Sequence, residues 1–460
     1  MTCYGGFKTM KKLFGSSGVR GVVNVDLTPI LACKVAVAAA AYTKARKALI
    51  ARDTRVSGPM LEHAVAAGLL ATGADVSTIG IAPTPALAYS TKALQADIGI
   101  MLTASHNPPA YNGIKLFNKD GSAFDEDAQD AVEQLVSSSN HALTEWHTIG
   151  QCTRARGVQN YVNLLLDTVA LRRTWRVIVD PGCGATYKLA PKVLKTAGCH
   201  VITINAQPDG HFPARSSEPT RESLVDLARL VKLFRADIGV AFDGDGDRAA
   251  FIDEQGNFVD FDQALAAYAS HVLKTKGGGV VVTNVEASMC VEAAAQKHGG
   301  RVVRVKVGDV YLSEAIKRSG AVFGGEPCGA WIHPQIHWCP DGLLSTLMLL
   351  KALETEQQSL HGFTAAVPKY IMLRENIPCP NSLKPTVMAR VAETAGDAYT
   401  NFKESSTIDG VRLALSDGWT LIRASGTEPL IRITVEGESL KAAKRIMHEG
   451  KALIKRCIKA

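Results

Sequence analysis

The sequence has no long apolar run and no paired cysteines. Its longest apolar stretches are Leu31–Tyr42, which Lys34 interrupts, and Leu343–Leu350, which falls short of the roughly 18 residues that a bilayer span needs. We therefore expect no membrane-spanning segment. The ten cysteines stand singly, without Cys-x-x-Cys pairs or zinc-site spacing. Free thiols in a reducing cytoplasm are the expected consequence.

No block of basic residues runs along the chain. The 51 Lys and Arg residues exceed the 44 Asp and Glu residues to give a net charge of +7. Because no basic block occurs, nucleic acid is not an expected partner, and a phosphorylated small molecule accounts for the excess equally well. Met1–Lys12 has lysines but no apolar segment behind them, so we expect no signal peptide. Met10 precedes the first motif, which makes residues 1–9 a candidate extension.

Length and patterning predict several α/β units. A chain of 460 residues is too long for one ordinary core, and three or four domains are expected. Short Val/Ile-rich runs alternate with Ala/Leu-rich helical stretches, and residues 351–364 are predicted to be the tail of a helix. The pattern then changes to hairpin-like strands near 410–413, 419–422 and 431–435 and an amphipathic helix at 440–458. This last segment predicts an α+β unit.

One serine is predicted to stand at the end of a buried strand. The apolar run Ile98–Leu102 leads into residues 103–108, Thr-Ala-Ser-His-Asn-Pro. Pro108 and Pro109 prevent this loop from continuing the strand or entering a helix directly. Such a loop holds the Ser105 hydroxyl in one place, as a covalent phosphate carrier requires, although by itself the segment is more typical of a turn without chemistry.

Three aspartates follow a second predicted strand, Ile238–Phe242. In residues 243–248, Asp-Gly-Asp-Gly-Asp-Arg, glycines separate the carboxylates, which can therefore turn toward one point. Oxygen-only ligands suit Mg²⁺, which normally takes a phosphate oxygen as well. An EF-hand is excluded because Arg248 stands where that loop needs glycine. A solvated acidic turn is disfavoured because the mutual repulsion of three carboxylates calls for a cation.

The segment before the last predicted strand has the composition of an anion-binding loop. Residues 423–429 are Arg-Ala-Ser-Gly-Thr-Glu-Pro, and Arg432 follows. Two guanidinium groups, two hydroxyls and the backbone N–H groups beside glycine can surround a phosphate, whose geometry suits arginine. The alternative is a hairpin loop with surface arginines.

Two further glycine-rich loops carry weaker signals. Residues 324–331, Gly-Gly-Glu-Pro-Cys-Gly-Ala-Trp, offer the Glu326 carboxylate to sugar hydroxyls and Trp331 as an apolar wall. Residues 14–21, Phe-Gly-Ser-Ser-Gly-Val-Arg-Gly, predict a flexible loop with one cation, Arg20. Each of these loops alone is also typical of an ordinary turn.

In this order the five segments resemble the α-D-phosphohexomutase superfamily, which includes phosphoglucomutase, phosphomannomutase and phosphoglucosamine mutase. The resemblance extends from Leu13 to the C-terminus. It implies an α/β fold of three related α/β domains with mixed sheets and a C-terminal α+β domain around a central cleft. The expected bounds are 10–150 with the phosphoserine loop, 151–254 with the metal loop, 255–365 with the sugar loop and 366–460 with the phosphate loop.

The resemblance also implies a role for each candidate site residue. The residues implied to hold Mg²⁺ are Ser105, which would carry the phosphoryl group, and Asp243, Asp245 and Asp247. The candidates for the general base, which the sequence does not separate, are Lys115, His106 and Arg20. We expect His106 only to hydrogen-bond the loop, because neighbouring side chains on an extended segment point apart. The residues implied to bind substrate are Arg248, Gly308, Glu326, Cys328, Arg423, Ser425, Gly426, Thr427 and Arg432.

These implications describe a phosphohexose mutase. The phosphoryl group of Ser105 would pass to a hexose phosphate, and the resulting hexose 1,6-bisphosphate would turn over in the cleft before Ser105 takes back the other phosphate. Mg²⁺ would neutralise charge on the moving group. The alternatives are a Mg²⁺-dependent sugar phosphatase and a non-catalytic sugar-phosphate sensor, although a sensor needs no nucleophile. The oligomeric state is left open between monomer and homodimer.

The sugar loop favours glucosamine phosphate among the hexose phosphates. Relatives that act on glucose or mannose phosphates resemble Gly-Glu-Met-Ser-Gly-His in this loop, whereas Cys328 here replaces the Ser and Ala330 replaces the His. Residues 326–334 are more similar to archaeal phosphoglucosamine mutases. We therefore expect conversion of glucosamine 6-phosphate to glucosamine 1-phosphate, with a glucose and mannose phosphate mutase of broad specificity as the alternative.

Overall fold

The computed structural model describes residues 12–15, 17–138, 143–426 and 428–459. Ser16 of the opening loop, Thr427 of the predicted phosphate loop and residues 1–9 lie outside the described residues. Within this part of the chain, four sheets follow one another, each with its own helices.

The first sheet is mixed and seven-stranded, in the spatial order β1-β2-β6-β5-β3-β4-β7. Its strands are β1 (Phe14–Gly15), β2 (Gly18–Val22), β3 (Lys47–Arg52), β4 (Asp75–Ile81), β5 (Ile98–Leu102), β6 (Tyr111–Asn118) and β7 (Cys152–Arg154). The helices beside it are α1 (Pro29–Thr43), α2 (Gly58–Ala71), α3 (Thr84–Ala93) and α4 (Glu126–Ser138), and a 3₁₀ turn spans Trp146–Thr148. Because β7 pairs in parallel with β4, this sheet extends past the boundary expected at residue 150.

Strand β5 carries the serine loop through the middle of the first sheet. Its five residues are all buried, since β3 pairs with it on one side and β6 on the other. Ile98, Ile100 and Leu102 pack into a core with α1 and α2, whereas Met101 packs with α3 on the opposite face. A strand covered on both faces needs a continuous apolar run, and its carboxyl end is the usual place for a ligand site.

The second and third sheets are four-stranded and mixed, in the orders β11-β10-β8-β9 and β13-β12-β14-β15. Their strands are β8 (Arg176–Asp180), β9 (His200–Thr203), β10 (Ile238–Phe242), β11 (Ala249–Ile252), β12 (Gly279–Asn284), β13 (Gly300–Val305), β14 (Phe323–Gly325) and β15 (Trp331–Ile332). The helices are α5 (Gly157–Thr168), α6 (Leu189–Thr196), α7 (Val225–Leu233), α8 (Phe261–Lys276), α9 (Cys290–Gln296), α10 (Asp309–Ser319), α11 (Gly342–Glu356) and α12 (Leu360–Ala365). The helix tail expected at 351–364 is confirmed only as far as Glu356, because Gln357 takes a left-handed conformation that ends α11, and α12 begins at Leu360.

The fourth sheet is antiparallel throughout, in the order β16-β20-β19-β18-β17. Its strands are β16 (Ile371–Pro378), β17 (Phe402–Ser406), β18 (Val411–Leu415), β19 (Gly418–Ala424) and β20 (Leu430–Gly437). Helices α13 (Lys384–Ala398) and α14 (Leu440–Lys459) complete the unit. One face of α14 buries Ile446, Leu453 and Ile454, as its amphipathic pattern predicts.

One apolar core extends through the first three units, and each of them also has a smaller core on its other face. The shared core joins Leu87 of α3, Tyr161 of α5, Leu265 of α8 and Leu343 of α11 in one cluster. The fourth unit has a core of its own and touches the third through Val285, Trp419 and Leu421. The predicted class, three α/β units with mixed sheets followed by an α+β unit, is confirmed. None of the helices in the described part of the chain has the length and apolar character that a bilayer span requires.

Candidate active site

The serine loop and the aspartate loop meet face to face. The Ser105 hydroxyl donates a hydrogen bond of 2.7 Å to Asp243 Oδ2, and both residues are buried. The approach depends on Gly244, because a Cβ atom at that position would lie 2.5 Å from the Ser105 carbonyl oxygen. Two segments that are far apart in the sequence thus form one site.

The expectation that His106 points away from Ser105 is wrong. Its Nδ1 atom lies 3.3 Å from Ser105 Oγ. The reason is that Ser105 has a φ of 50°, so the backbone is left-handed rather than extended at this residue. Burial, together with the nearby guanidinium groups of Arg248 and Arg20, lowers the pKa of His106 to about 3. A neutral imidazole therefore lies against the serine hydroxyl.

Three buried carboxylates converge beside Ser105. One oxygen from each of Asp243, Asp245 and Asp247 lies within 4.8 Å of the others. Burial and the charges of the neighbouring carboxylates raise the pKa of Asp243 and of Asp247. The pKa of Asp245 is lowered in spite of its burial, because the Lys115 ammonium lies next to it and the Thr84 hydroxyl donates a 2.5 Å hydrogen bond to it.

Lys115 provides the cation nearest to these carboxylates. Its buried ammonium group donates to Asp245 Oδ2 at 3.0 Å and to Asp247 Oδ2 at 2.7 Å. Burial opposes the charge, but the two carboxylates outweigh it and raise the pKa of Lys115 above its ordinary value. The side chain therefore acts as a fixed positive charge in this arrangement.

The aspartate cluster fits a divalent cation. Asp245 Oδ1 and Asp247 Oδ1 are buried without a hydrogen-bond partner among the described residues. All the available ligand atoms are oxygens, which Mg²⁺ prefers. The ammonium of Lys115 contacts two of the three carboxylates, so one cation already occupies part of this negative field. A dication would satisfy the two orphaned oxygens and balance the remaining charge.

Two arginines flank the serine and aspartate loops. The Arg248 backbone N–H donates to Asp243 Oδ1 at 3.2 Å, and its Nε lies 3.8 Å from Asp247 Oδ1. Arg20 donates from Nη1 to Asn107 Oδ1 at 3.0 Å. Its Nε–H is buried and has no partner within the described ranges. A free buried donor at this position suits a phosphoryl oxygen.

The sugar loop is fixed by the Glu326 carboxylate. Asn284 Nδ2 and the Gly308 backbone N–H both donate to Glu326 Oε1 at 2.9 Å. Burial raises the pKa of Glu326. Cys328 Sγ lies 4.0 Å from Glu326 Oε2, and burial raises the pKa of this thiol to about 12. The loop adjoins the aspartate loop, since the Ala249 N–H donates to the Gly329 carbonyl.

Trp331 does not form the predicted wall of the sugar site. Its side chain is only 1% exposed and stacks on Tyr268 at a centroid distance of 5.0 Å, inside the core of the third unit. The prediction is wrong because Trp331 begins strand β15 and points into the sheet's packed face. Trp331 therefore anchors the end of the sugar loop in the core of the third unit.

The arginines of the predicted phosphate loop are held by carboxylates. Arg423 contacts Glu286 of the third unit at 2.7 Å and Asp409 at 2.9 Å. Arg432 contacts Glu428 at 2.9 Å and is half exposed. Glu286 is itself anchored by its N–H, which donates to Asn284 Oδ1. The Asn284 amide also donates to Glu326. The sugar loop is therefore linked to Arg423 of the fourth unit through Asn284 and Glu286.

Hydrogen bonds fix the backbone of the predicted phosphate loop on both sides of Gly426, and the space beside Gly426 is open. The Ser425 hydroxyl accepts from the Glu428 N–H at 3.1 Å, and Lys384 donates to the carbonyl oxygens of both residues. Gly426 is exposed, and no described atom lies within 4 Å of the place where a Cβ would stand. Thr427 lies outside the described residues. The surroundings of Gly426 leave room for an anion.

Several side chains that shape the site carry no motif in the sequence. They are Thr84, Asn284, Glu286, Lys384 and Asp409. Thr84 and Asn284 stand at or just after the carboxyl end of a strand, which is the one signal that applies to them. Glu286, Lys384 and Asp409 act through contacts between distant segments and have no local signal.

Comparison with known proteins agrees with this architecture along the whole chain. Residues 11–142, 157–256, 260–370 and 375–452 match, in order, phosphoglucomutase/phosphomannomutase alpha/beta/alpha domains I, II and III and the C-terminal domain. A probable phosphoglucosamine mutase of Methanopyrus kandleri is 43% identical over 98% of this chain and 99% of its own length. The phosphoglucosamine mutase of Methanococcus maripaludis is 41% identical over 96% and 98%.

A solved structure shows the same fold. The phosphoglucomutase/phosphomannomutase family protein of Burkholderia thailandensis superposes with a TM-score of 0.87 at 27% identity and covers 97% of each chain. The order of the four matched domains also agrees with the order of the serine, aspartate, sugar and arginine loops described above. The chain therefore belongs to the phosphoglucomutase/phosphomannomutase family of phosphohexomutases.

Proposed function

We propose that the protein interconverts glucosamine 6-phosphate and glucosamine 1-phosphate through a phosphoserine at Ser105 and a hexose 1,6-bisphosphate intermediate. The observation that carries the proposal is the 2.7 Å contact between Ser105 Oγ and Asp243 inside a buried cluster of three carboxylates. A serine hydroxyl aimed at a divalent-cation site suits a phosphoryl carrier. The choice of glucosamine is supported by the names of the two archaeal relatives and by Cys328 and Ala330 in the sugar loop.

In this proposal Asp243, Asp245 and Asp247 hold Mg²⁺ together with an oxygen of phosphorylated Ser105. When bound, the ion neutralises charge on the transferred phosphoryl group. Lys115 adds a fixed positive charge beside two of the aspartates, and the free Nε–H of Arg20 donates to a phosphoryl oxygen.

His106 is the candidate base that lies within reach of the serine. Its Nδ1 atom is 3.3 Å from Ser105 Oγ, and it can accept the serine proton only when the hydroxyl turns away from Asp243, to which the hydroxyl now donates. Lys115 is engaged by Asp245 and Asp247, and Arg20 by Asn107, so both serve the proposal as cations.

The phosphate that is not transferred binds at the arginine loop in this proposal. The side chains of Arg423 and Arg432 are 34% and 56% exposed, so a phosphate can replace the carboxylates that now hold their guanidinium groups. Gly426 leaves the space for it. The residues proposed to hold this phosphate are Arg423, Ser425, Gly426, Thr427 and Arg432. Those proposed to contact the sugar are Arg248, Gly308, Glu326 and Cys328.

A comparison of substrates tests the proposed specificity. Turnover of the 6-phosphates of glucosamine, glucose and mannose is measured in one preparation with Mg²⁺ and a hexose 1,6-bisphosphate activator. We expect kcat/KM for glucosamine 6-phosphate to exceed the other two by at least about tenfold, because a site built to bond an amino group loses those bonds with a different substituent. Because relatives that act on glucose or mannose phosphates have Ser in this place, Cys328→Ser is expected to reduce the difference between the kcat/KM values for glucosamine 6-phosphate and the other two sugars.

Two outcomes contradict the proposal in different ways. Equal kcat/KM values for the three sugars reject the glucosamine preference and leave a mutase of broad specificity. Release of inorganic phosphate at the rate of isomerisation indicates a phosphatase, in which water replaces the sugar as acceptor.

Gly244→Ala is expected to lower kcat about 100-fold. The new methyl group would stand 2.5 Å from the Ser105 carbonyl oxygen and would push the serine and aspartate loops apart, and misplacement by about 1 Å has an effect of that size. Gly362→Ala is the matched control, since its nearest neighbour would be Ser359 Oγ at 3.6 Å, an ordinary contact. Steady-state kinetics of both variants check this. A wild-type kcat for Gly244→Ala would show that the close approach of the loops is not needed.

A further inference from the structure

Arg55 lies on the loop after β3 and is completely buried beneath the serine loop. The geometry points to Arg55 as a positioning residue that fixes the backbone of Ser105 and so aims its hydroxyl at Asp243. The inference rests on the proposed phosphoryl transfer for its kinetic readout, whereas the contacts themselves are independent of the substrate.

Three carbonyl oxygens of the serine loop and that of the first residue of β6 converge on this one side chain. Arg55 Nη2 donates to the carbonyl oxygens of Ser105 at 2.9 Å and Asn107 at 2.6 Å. Nη1 donates to those of Pro108 at 2.7 Å and Tyr111 at 2.8 Å. A planar fork of N–H donors is the group that can satisfy so many acceptors in fixed directions. The loop is therefore wrapped around the guanidinium.

The fifth donor of Arg55 extends the network to the other side of Ser105. Nε donates to Asp53 Oδ2 at 3.0 Å, and Asp53 Oδ1 accepts from the Arg55 backbone N–H. Asp53 Oδ2 also accepts from the Thr103 hydroxyl at 2.6 Å, and Thr103 Oγ1 accepts from the Ser105 N–H at 2.9 Å. Both backbone polar groups of Ser105 are thus held through Asp53 and Arg55.

This fixation matters because Ser105 adopts an unfavourable conformation. Its φ of 50° lies in the left-handed region, where a side chain crowds its own backbone. That conformation places the hydroxyl 2.7 Å from Asp243 and brings His106 to the same side. Without contacts on its N–H and carbonyl, the residue would relax toward an extended conformation and turn the hydroxyl away from the aspartates.

Two residues of the second unit, Phe212 and Ser217, contact the same network. The ring of Phe212 lies 5.2 Å from the Arg55 guanidinium carbon. The Ser217 hydroxyl donates to the carbonyl oxygens of His106 at 2.7 Å and Asn107 at 3.0 Å. The serine loop is therefore held between two units around a buried guanidinium, and hydrogen bonds from a buried charged donor are strong.

The same device occurs in the next two units. Buried Arg215 donates to the Phe242 carbonyl at 2.7 Å, immediately before the aspartate loop. Arg304 donates to the Asn284 carbonyl at 2.8 Å, at the end of β12. A guanidinium bonded to carbonyl oxygens at or after the carboxyl end of a strand thus recurs in each of the first three units, at β5, β10 and β12. Arg55 is the member of this set that supports the nucleophile.

Arg55→Lys tests the inference. Lysine keeps the charge but has three donors and no fork, so several loop carbonyls lose their partner. We expect kcat to fall at least about 100-fold while KM changes by less than about threefold, since the substrate contacts are left in place. The single-turnover rate at which Ser105 takes phosphate from a hexose 1,6-bisphosphate should fall with kcat. Amide hydrogen exchange of residues 103–111 should accelerate.

Arg445→Lys is the matched control. This arginine pairs with Asp417 and Glu449 in the fourth unit and has no contact with the site. Its kcat and its exchange at 103–111 are expected to equal those of the wild type. If Arg55→Lys behaves like Arg445→Lys in both readouts, the inference is overturned. Inactivity of the wild type toward every hexose phosphate would refute the proposed function instead, and the exchange measurement would still decide the role of Arg55.

A second pair of variants applies if Arg55→Lys does not fold. Thr103→Val keeps the shape of the side chain but removes the oxygen that accepts from the Ser105 N–H, whereas Thr103→Ser keeps that oxygen. We expect Thr103→Val to lower kcat at least about tenfold at unchanged KM and Thr103→Ser to remain near the wild type. Equal kcat values for the two variants would overturn the positioning of Ser105 through its backbone.

Discussion

Ser105→Ala is expected to lower mutase activity by at least about 10⁴-fold with the phosphates of glucosamine, glucose and mannose alike. The proposed transfer passes through a covalent bond to Ser105 Oγ, and a neighbouring hydroxyl has to stand at the same place to substitute for it. The Ser217 hydroxyl is engaged by the carbonyl oxygens of His106 and Asn107, and the Thr103 hydroxyl is engaged by Asp53, so neither is free to replace the Ser105 hydroxyl. The loss should therefore concern kcat and be independent of the sugar.

Intact-mass spectrometry gives a second readout for this variant. Wild-type protein incubated with a hexose 1,6-bisphosphate should gain the mass of one phosphoryl group, and Ser105→Ala should gain none. Ser223→Ala is the control, because this serine makes hydrogen bonds only within its own turn. Ser105→Ala should lower the melting temperature only slightly, since it loses the two hydrogen bonds of one hydroxyl, with Asp243 and His106, each worth about 1 kcal/mol. Appreciable isomerisation by the variant would rule out the phosphoserine.

The parts of the site that follow a buried strand could be predicted from the sequence. The runs Ile98–Leu102 and Ile238–Phe242 match strands β5 and β10. A continuous apolar run identifies a strand that is buried on both faces, and the carboxyl end of such a strand is where ligand loops lie. This is why the serine and aspartate loops could be recognised and why the structure brings them together.

Features that depend on backbone conformation or on distant contacts could not be predicted in this way. The position of His106 follows from the left-handed φ of Ser105, which no residue type at that position announces. Arg55 stands in a polar run after β3, where its charge suggests a surface residue, yet it is fully buried because Asp53 and four carbonyl oxygens meet it. Trp331 is likewise buried because its position in β15 directs its side chain toward the packed face of the sheet.

Asp245→Asn is expected to lower kcat/KM about 10³-fold at saturating Mg²⁺, and its effect on stability should depend on the metal. In wild-type protein Mg²⁺ should raise the melting temperature, because an ion at 100 times its Kd stabilises the native state by about 2.7 kcal/mol. The variant should lose most of that increment. Asp245 Oδ1 is one of the two oxygens of the aspartate cluster that are buried without a hydrogen-bond partner among the described residues, so it is a candidate ligand atom.

In EDTA the same substitution should lower the melting temperature by less than it does in Mg²⁺. Lys115 and the Thr84 hydroxyl lower the pKa of Asp245 in spite of its burial, so its ionised form is stabilised in the native state and asparagine loses that contribution, while Lys115 keeps its 2.7 Å contact with Asp247. The amide oxygen of asparagine can still accept from Thr84. Asp417→Asn, which weakens a surface pair with Arg445, should instead lower the melting temperature slightly and equally with and without Mg²⁺. Differential scanning calorimetry of the wild type, Asp245→Asn and Asp417→Asn in Mg²⁺ and in EDTA measures how much Mg²⁺ raises each melting temperature. An unchanged Mg²⁺ increment in Asp245→Asn would show that the ion does not bind to this cluster.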